Sequence, residues 1–106
     1  MADDRRDVVF SANARADLID IWRYLATEAG DRVADAALER LHAAAMSLDV
    51  RSQRGAPRDD IRMGLRMLIV RPYLLFYRVR DAVEIARVLH GRRDVLGVFR
   101  VGPADE

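Results

Sequence analysis

The sequence predicts a single α+β domain: an N-terminal strand, an antiparallel helical hairpin, and a three-stranded antiparallel meander, with all strands in one sheet. Two observations predict this class. Apolar residues recur every three or four positions in two consecutive stretches between residues 14 and 48, which is the period of an α-helix. Three β-favouring runs then follow one another between residues 63 and 90. Helices followed by adjoining strands are typical of a helical layer packed on an antiparallel sheet.

The first strand is predicted at residues 8–10, where Val-Val-Phe favours β structure. Ser11 and Asn13 follow as natural turn or helix-cap residues. A first helix is then predicted over residues 14–29, with Gly30 at the place where a helix would stop. Its polar side is expected to carry Asp17, Asp20 and Arg23. Its apolar positions are Leu18, Ile21, Trp22, Leu25 and Ala29.

The second helix is expected to run from Asp31, as its cap, to about Leu48. Because only a Gly-Asp turn separates the two helices, they should form an antiparallel hairpin. The apolar stripe predicted for this helix consists of Val33, Ala37, Leu41, Ala44, Ala45 and Leu48.

Residues 49–62 contain Gly55 and Pro57, lose the helical period and are predicted to form a surface loop. The strands of the meander are expected at residues 63–70, 73–80 and 83–90, separated by breaks short enough for antiparallel neighbours. Residues 96–106 are weakly specified and are expected to fray. The whole chain, 1–106, is thus predicted to be one domain with its core at about 8–95.

All 18 basic residues are Arg, although the formal net charge is only +1. Arg stays protonated and offers a planar fork of donors, so it suits phosphate and carboxylate partners and does not shuttle protons. The absence of cysteine excludes disulfides and thiolate chemistry. With no apolar signal segment and no run of about 20 apolar residues, we expect a cytoplasmic protein without a membrane span.

The segment "LHGRRDV" ends the last predicted strand in a group of polar residues: His90, Arg92, Arg93 and Asp94. One interpretation is structural, with an Arg paired to Asp94 or to a helix carboxylate, since surface ion pairs are common. The other is a patch that faces an anion or a partner. Metal-free RNA cleavage needs a base and an acid as well as a cation, and His90 is the one well-placed base. The spacing alone leaves these interpretations open.

Other sites find little support in the sequence. Two scattered histidines, His42 and His90, and the adjacent pair Asp59-Asp60 lack the spacing of a metal-ligand set, so we expect no metal and no cofactor. Phosphate-binding glycine loops are also missing. A single-strand nucleic-acid binder would show interleaved aromatic residues and a larger positive charge, so we expect no direct sequence-specific nucleic-acid binding.

The stretch "YLLFYRV" followed by "VEIARVLHGRRD" resembles the C-terminal half of ParE-type toxins of the RelE/ParE superfamily. The first helix, "ARADLIDIWRYLA", is similar to the opening helix of that family, and the resemblance covers about residues 8–95. It implies a toxin of a type II toxin–antitoxin system. In the ParE branch such toxins inhibit DNA gyrase, whereas the RelE branch cleaves mRNA on the ribosome with basic residues, an Arg and a C-terminal Tyr.

Compared with the RelE branch, this chain has Arg93 at the place of the catalytic Arg and Phe99 where the Tyr would be. Phe99 has no hydroxyl with which to exchange a proton, and no Lys is present to help. The resemblance therefore favours the gyrase-directed branch and a non-enzymatic toxin. A RelE-like ribosome-dependent endoribonuclease, with His90 as base and Arg93 as phosphate stabiliser, is the alternative. A third hypothesis is a degenerate member that keeps the fold without toxicity.

The resemblance also implies partners. A cognate ParD-like antitoxin is expected to bind through a disordered C-terminal arm that folds on contact, forming a hetero-oligomer with the toxin. Apolar positions on the hairpin or sheet would receive it, with Leu18, Trp22 and Met67 as candidates. The candidates for contact with gyrase are His90, Arg92, Arg93, Asp94 and Phe99.

Overall fold

A computed structural model describes residues 5–100, and it has the predicted α+β architecture with a helical hairpin packed on one sheet. The α+β class, the hairpin and the antiparallel meander are confirmed. A 3₁₀ turn, Ser47–Asp49, extends the second helix. The elements are β1 Val8–Phe10, α1 Ala12–Ala29, α2 Asp31–Met46, β2 Ala56–Pro57, β3 Leu65–Val70, β4 Tyr73–Val79, β5 Val83–His90 and α3 Val95–Arg100.

The strands are ordered β1-β5-β4-β3-β2 in one five-stranded sheet. β1 is parallel to β5, with Val8 opposite Val83 and Phe10 opposite Ile85, and the other pairs are antiparallel. The fifth strand, β2, falls in the stretch predicted as a loop. It is only two residues long and pairs with Arg66 and Met67 of β3, so no sequence period could reveal it.

Capping residues determine where the two helices begin. The Ser11 hydroxyl accepts a hydrogen bond from the Ala14 N–H at 3.0 Å, so α1 starts at Ala12, two residues before the predicted start. The expectation that Asp31 caps α2 is wrong. Gly30 occupies the cap position with a φ of 97°, a backbone conformation that favours glycine, and Asp31 is the first helical residue.

The hairpin covers one side of the sheet. Its core includes the fully buried Leu41, Leu75 and Tyr77. Val33 was predicted to lie on the apolar stripe, but it is 46% exposed. Ala34, one residue later, takes the buried position instead. The other side of the sheet carries a smaller core of Leu65, Phe76, Ala86, Leu89 and Phe99.

The prediction that the C-terminal tail frays is wrong for residues 96–100, which belong to α3 on the second side of the sheet. Two contacts begin this helix: the Asp94 carboxylate accepts the Gly97 N–H at 3.1 Å, and the Asp94 carbonyl accepts the Val98 N–H at 3.0 Å. Phe99 then buries its ring in the second core. Residues 101–106 lie outside the described part of the chain.

Strand bounds differ from the prediction by at most two residues. β3 begins at Leu65 instead of residue 63, because Gly64 makes a turn with a φ of 81°. The Asp59 carboxylate accepts the Gly64 N–H at 2.8 Å and holds that turn. Over residues 5–100, no helix is long and apolar enough to cross a membrane.

Candidate functional site

A groove of about 520 Å³ lies between α1 and the C-terminal end of β5, and we call it the α1–β5 groove. Its lining combines apolar side chains with charged and hydroxyl groups. The lining residues are Asp17, Asp20, Ile21, Tyr24, Tyr73, Val88, Leu89, His90, Arg92 and Arg93.

Asp17 joins α1 to β5 beneath this groove. Its carboxylate accepts hydrogen bonds from Nε and Nη2 of Arg87 at 2.8 Å each, and from the Val88 N–H at 2.8 Å. β1 pairs only with the first half of β5, so the edge of β5 beyond Ile85 needs other partners. Asp17 supplies one and the Ser11 hydroxyl, which donates to the Ala86 carbonyl at 2.8 Å, supplies another.

The placement of Asp17 on the polar side of α1 was wrong, because the side chain is buried with a relative exposure of 8%. Asp17 shares a helix face with Ala14 and Ile21, at spacings of three and four residues. A signal was present in the sequence, since Arg87 interrupts an apolar strand and requires a buried or edge partner.

His90 lies at the end of β5 with its ring edge-on to Tyr73, at a centroid distance of 5.7 Å and an interplanar angle of 85°. Its Nδ1 accepts the backbone N–H of Arg92 at 3.1 Å. In the neutral imidazole the proton therefore sits on Nε2, because Nδ1 is the acceptor. His90 thus offers the groove a hydrogen-bond donor, and its basic nitrogen is already engaged by the turn.

Arg92 and Arg93 lie in the turn that follows, and both are exposed. The Arg93 N–H donates to the His90 carbonyl at 2.9 Å, which fixes the turn. Within residues 5–100 neither guanidinium has a hydrogen-bond or ion-pair partner. Their planar forks are therefore available to carboxylate or phosphate groups of another molecule.

Two tyrosines and one acid complete the groove. Tyr24 on α1 is 66% exposed, whereas Tyr73 on β4 is buried. Burial raises the pKa of the Tyr73 hydroxyl, with a smaller opposing effect from Arg40, so the phenol stays neutral at physiological pH. Asp20 is exposed on the helix side. The groove therefore has an acidic rim on α1 and a basic rim at the end of β5.

Asp94 and Phe99 lie apart from the α1–β5 groove. Asp94 begins α3 and lines a shallower neighbouring groove of about 460 Å³ together with Arg93. Phe99 packs edge-on against Phe76 at 5.1 Å and beneath the Arg62 guanidinium at 5.4 Å. With 8% exposure, Phe99 is a core residue in this structure, and its expected place on a target-facing surface is wrong.

The candidate antitoxin contacts lie on two sides of the sheet. Leu18 and Trp22 are half-buried on the hairpin, where the Trp22 Nε1–H donates to Asp35 at 2.8 Å. Met67 packs into the second core, and its Sδ accepts a hydrogen bond from Arg58 at 3.3 Å. Leu18 and Trp22 therefore do not form one continuous surface with Met67.

In the part of the chain that the structure describes, no three His, Cys, Asp or Glu side chains come close enough to hold a metal ion. The α1–β5 groove combines hydrogen-bond donors, the guanidinium groups of Arg92 and Arg93, the exposed carboxylate of Asp20 and an apolar floor.

Comparison with known proteins connects this architecture to a family. Residues 8–95 match the family model for the ParE toxin of the type II toxin–antitoxin system parDE. The chain is 40% identical over 81 residues to Toxin ParE1 of Caulobacter vibrioides, covering 76% of this chain and 83% of the relative. It is 32% identical over 89 residues to Toxin ParE3 of the same organism, covering 83% and 89%.

Two solved structures have the same fold. A chain of the chromosomal ParDE toxin–antitoxin system from P. aeruginosa superposes with a TM-score of 0.73 at 22% identity, covering 83% of this chain and 98% of that one. A chain of the toxin–antitoxin complex RelBE2 from Mycobacterium tuberculosis has a TM-score of 0.57 at 28% identity, covering 83% and 97%.

Proposed function

Because the chain belongs to the ParE toxin family of type II toxin–antitoxin systems, we propose that it inhibits DNA gyrase by non-covalent protein binding and that a ParD-like antitoxin neutralises it. Family membership supplies the general role, a toxin with a protein antagonist. The gyrase target is favoured because the chain groups with ParE toxins in sequence as well as in fold.

The observation that carries the proposal is the free guanidinium pair of Arg92 and Arg93 above the apolar floor of the α1–β5 groove. Protein interfaces draw most of their affinity from a few aromatic, apolar and Arg anchors in desolvated pockets. Tyr24, Ile21 and the two arginines are anchors of these types. Their arrangement supports binding to a protein surface through complementarity, without bond-making.

Two observations weigh against the mRNA-cleaving alternative. The Nδ1 of His90 is occupied by the Arg92 N–H, so the imidazole is not poised to take a proton from a 2′-hydroxyl. Phe99 has no hydroxyl and is enclosed by Phe76 and Arg62.

The hairpin is the proposed antitoxin surface. A shallow groove of about 390 Å³ runs along it and is lined by Leu18, Leu38, Glu39, His42 and Ala43. Trp22 lies on α1, one helical turn from Leu18. An amphipathic antitoxin segment that folds on contact would bury these apolar positions and leave Glu39 for a basic residue.

Induced expression in a bacterial host, with thymidine and methionine incorporation measured in parallel, tests the proposed target. We expect DNA synthesis to fall first while translation continues, because gyrase inhibition blocks replication. An early collapse of methionine incorporation would support the mRNA-cleaving alternative. Normal growth and normal incorporation of both labels would identify a degenerate toxin.

A further inference from the structure

A second charged groove lies at the opposite end of the sheet, where β1 begins and β4 ends. Its volume is about 500 Å³, and we call it the arginine groove. Half of its lining residues are Arg and none is acidic. Asp49, which directly precedes the groove segment, is engaged by Arg5 at 3.8 Å. The lining residues are Arg6, Val50, Arg51, Ser52, Gln53 and Arg54.

Residues 50–54, which form most of this groove, are held in place by hydrogen bonds from the sheet. The fully buried Tyr77 hydroxyl accepts the Gly55 N–H at 2.7 Å and donates to the Ser52 carbonyl at 2.9 Å. Arg66 Nε donates to the Gly55 carbonyl at 2.9 Å. A Cβ at position 55 would lie 2.7 Å from the Tyr77 ring, so this close approach requires glycine. Arg51 and Arg54 are therefore presented on a preorganised loop.

The three guanidinium groups retain donors for a ligand. Arg51 has no side-chain partner within residues 5–100. Arg54 donates one bond to the Ser47 hydroxyl at 2.9 Å, and Arg6 donates one to the Arg80 carbonyl at 3.0 Å. Since a guanidinium has five N–H donors, each of these two keeps several for a bound anion.

We propose that the arginine groove binds the phosphodiester backbone of duplex DNA without reading its sequence. Backbone binding needs clustered cations and polar donors, which Arg6, Arg51, Arg54 and Gln53 supply. A protein partner would call for aromatic or apolar anchors, and the groove has only Val50, which is 55% exposed. The α1–β5 groove, by contrast, has the aromatic and apolar anchors that a protein partner would use.

This site goes beyond the proposed inhibition of gyrase and does not depend on the identity of the toxin's target. The test uses the purified full chain and a fluorescently labelled duplex, with anisotropy recorded over a series of NaCl concentrations. Two or three neutralised phosphates should give a slope of log K against log[salt] of about −2 to −3. Arg51→Gln should weaken binding severalfold on every duplex and reduce the slope by about 1.

The matched control is Arg32→Gln, which removes the same charge from the exposed start of α2. It should leave both affinity and slope unchanged, and circular dichroism should show both variants folded. Equal losses for Arg32→Gln and Arg51→Gln would overturn the proposal, since net charge alone would then explain binding. An unchanged slope for Arg51→Gln would also overturn it, as would Arg51-dependent binding to polyglutamate without binding to DNA.

Discussion

The carboxylate of Asp17 holds the guanidinium of Arg87 through two hydrogen bonds of 2.8 Å each, joining α1 to the edge of β5. The same carboxylate accepts the Val88 N–H, so three donors converge on one buried acid. Since Asp17 and Val88 line the α1–β5 groove, this connection sets the distance between the groove's two walls.

Asp17→Ala is expected to destabilise the fold by about 3 kcal/mol, because it leaves the partly buried Arg87 and the Val88 N–H without this acceptor. Urea unfolding of the full chain, followed by circular dichroism, measures the loss. Asp20→Ala, an exposed acid on the same helix, should change stability by less than about 0.5 kcal/mol. Equal effects of the two variants would mean that Asp17 is not a structural connection.

Phe99→Ala should cost about 3 kcal/mol or more of stability, because its ring fills the second core against Phe76. Phe99→Leu should keep most of the stability and full growth inhibition, since our structure assigns Phe99 to packing. Unfolding and growth inhibition are measured for both variants. A stable Phe99→Leu protein that has lost toxicity would show that the aromatic ring contacts the target after all.

The double variant Arg92→Gln/Arg93→Gln should fold normally and lose at least about tenfold in growth inhibition, because charge-assisted contacts contribute about 1.5–3 kcal/mol each. The matched control is the double variant Arg15→Gln/Arg23→Gln, which removes two exposed cations from α1. Growth inhibition is measured at equal expression levels. Full toxicity in the Arg92, Arg93 variant would remove these residues from the proposed contact surface.

His90→Ala should retain toxicity within about threefold, since its Nδ1 accepts the Arg92 N–H of the turn and is not free to act as a base. Primer extension on host mRNA after induction provides the second readout. Cleavage sites that appear with the natural chain and vanish with His90→Ala would establish the endoribonuclease alternative.

Local sequence patterns predicted much of this fold. The period of α1 and α2, the β-favouring runs of the meander and the Ser11 cap depend on neighbouring residues, so they are visible in the sequence. The parallel pairing of Val8 with Val83 joins distant residues and leaves no local signal. β2 is a two-residue strand whose pairing depends on β3. Its position could not be read from residues 56 and 57 alone.

The candidate site was predictable only in part. His90, Arg92 and Arg93 were found because charged residues directly follow an apolar strand. The α1 wall of the groove was missed, since Asp17 looked like a solvent-facing acid until its pairing with Arg87 was known. Phe99 was a candidate for target contact because the resemblance places it where the RelE branch has its C-terminal Tyr. Its burial depends on α3 folding back onto the second side of the sheet.

Supercoiling by purified gyrase, measured with increasing amounts of the full chain, tests the central claim most directly. We predict dose-dependent loss of supercoiling, relief by Arg92→Gln/Arg93→Gln, and full inhibition by the Arg15→Gln, Arg23→Gln control. Undiminished supercoiling at every dose of a chain that still stops growth would contradict the proposed target.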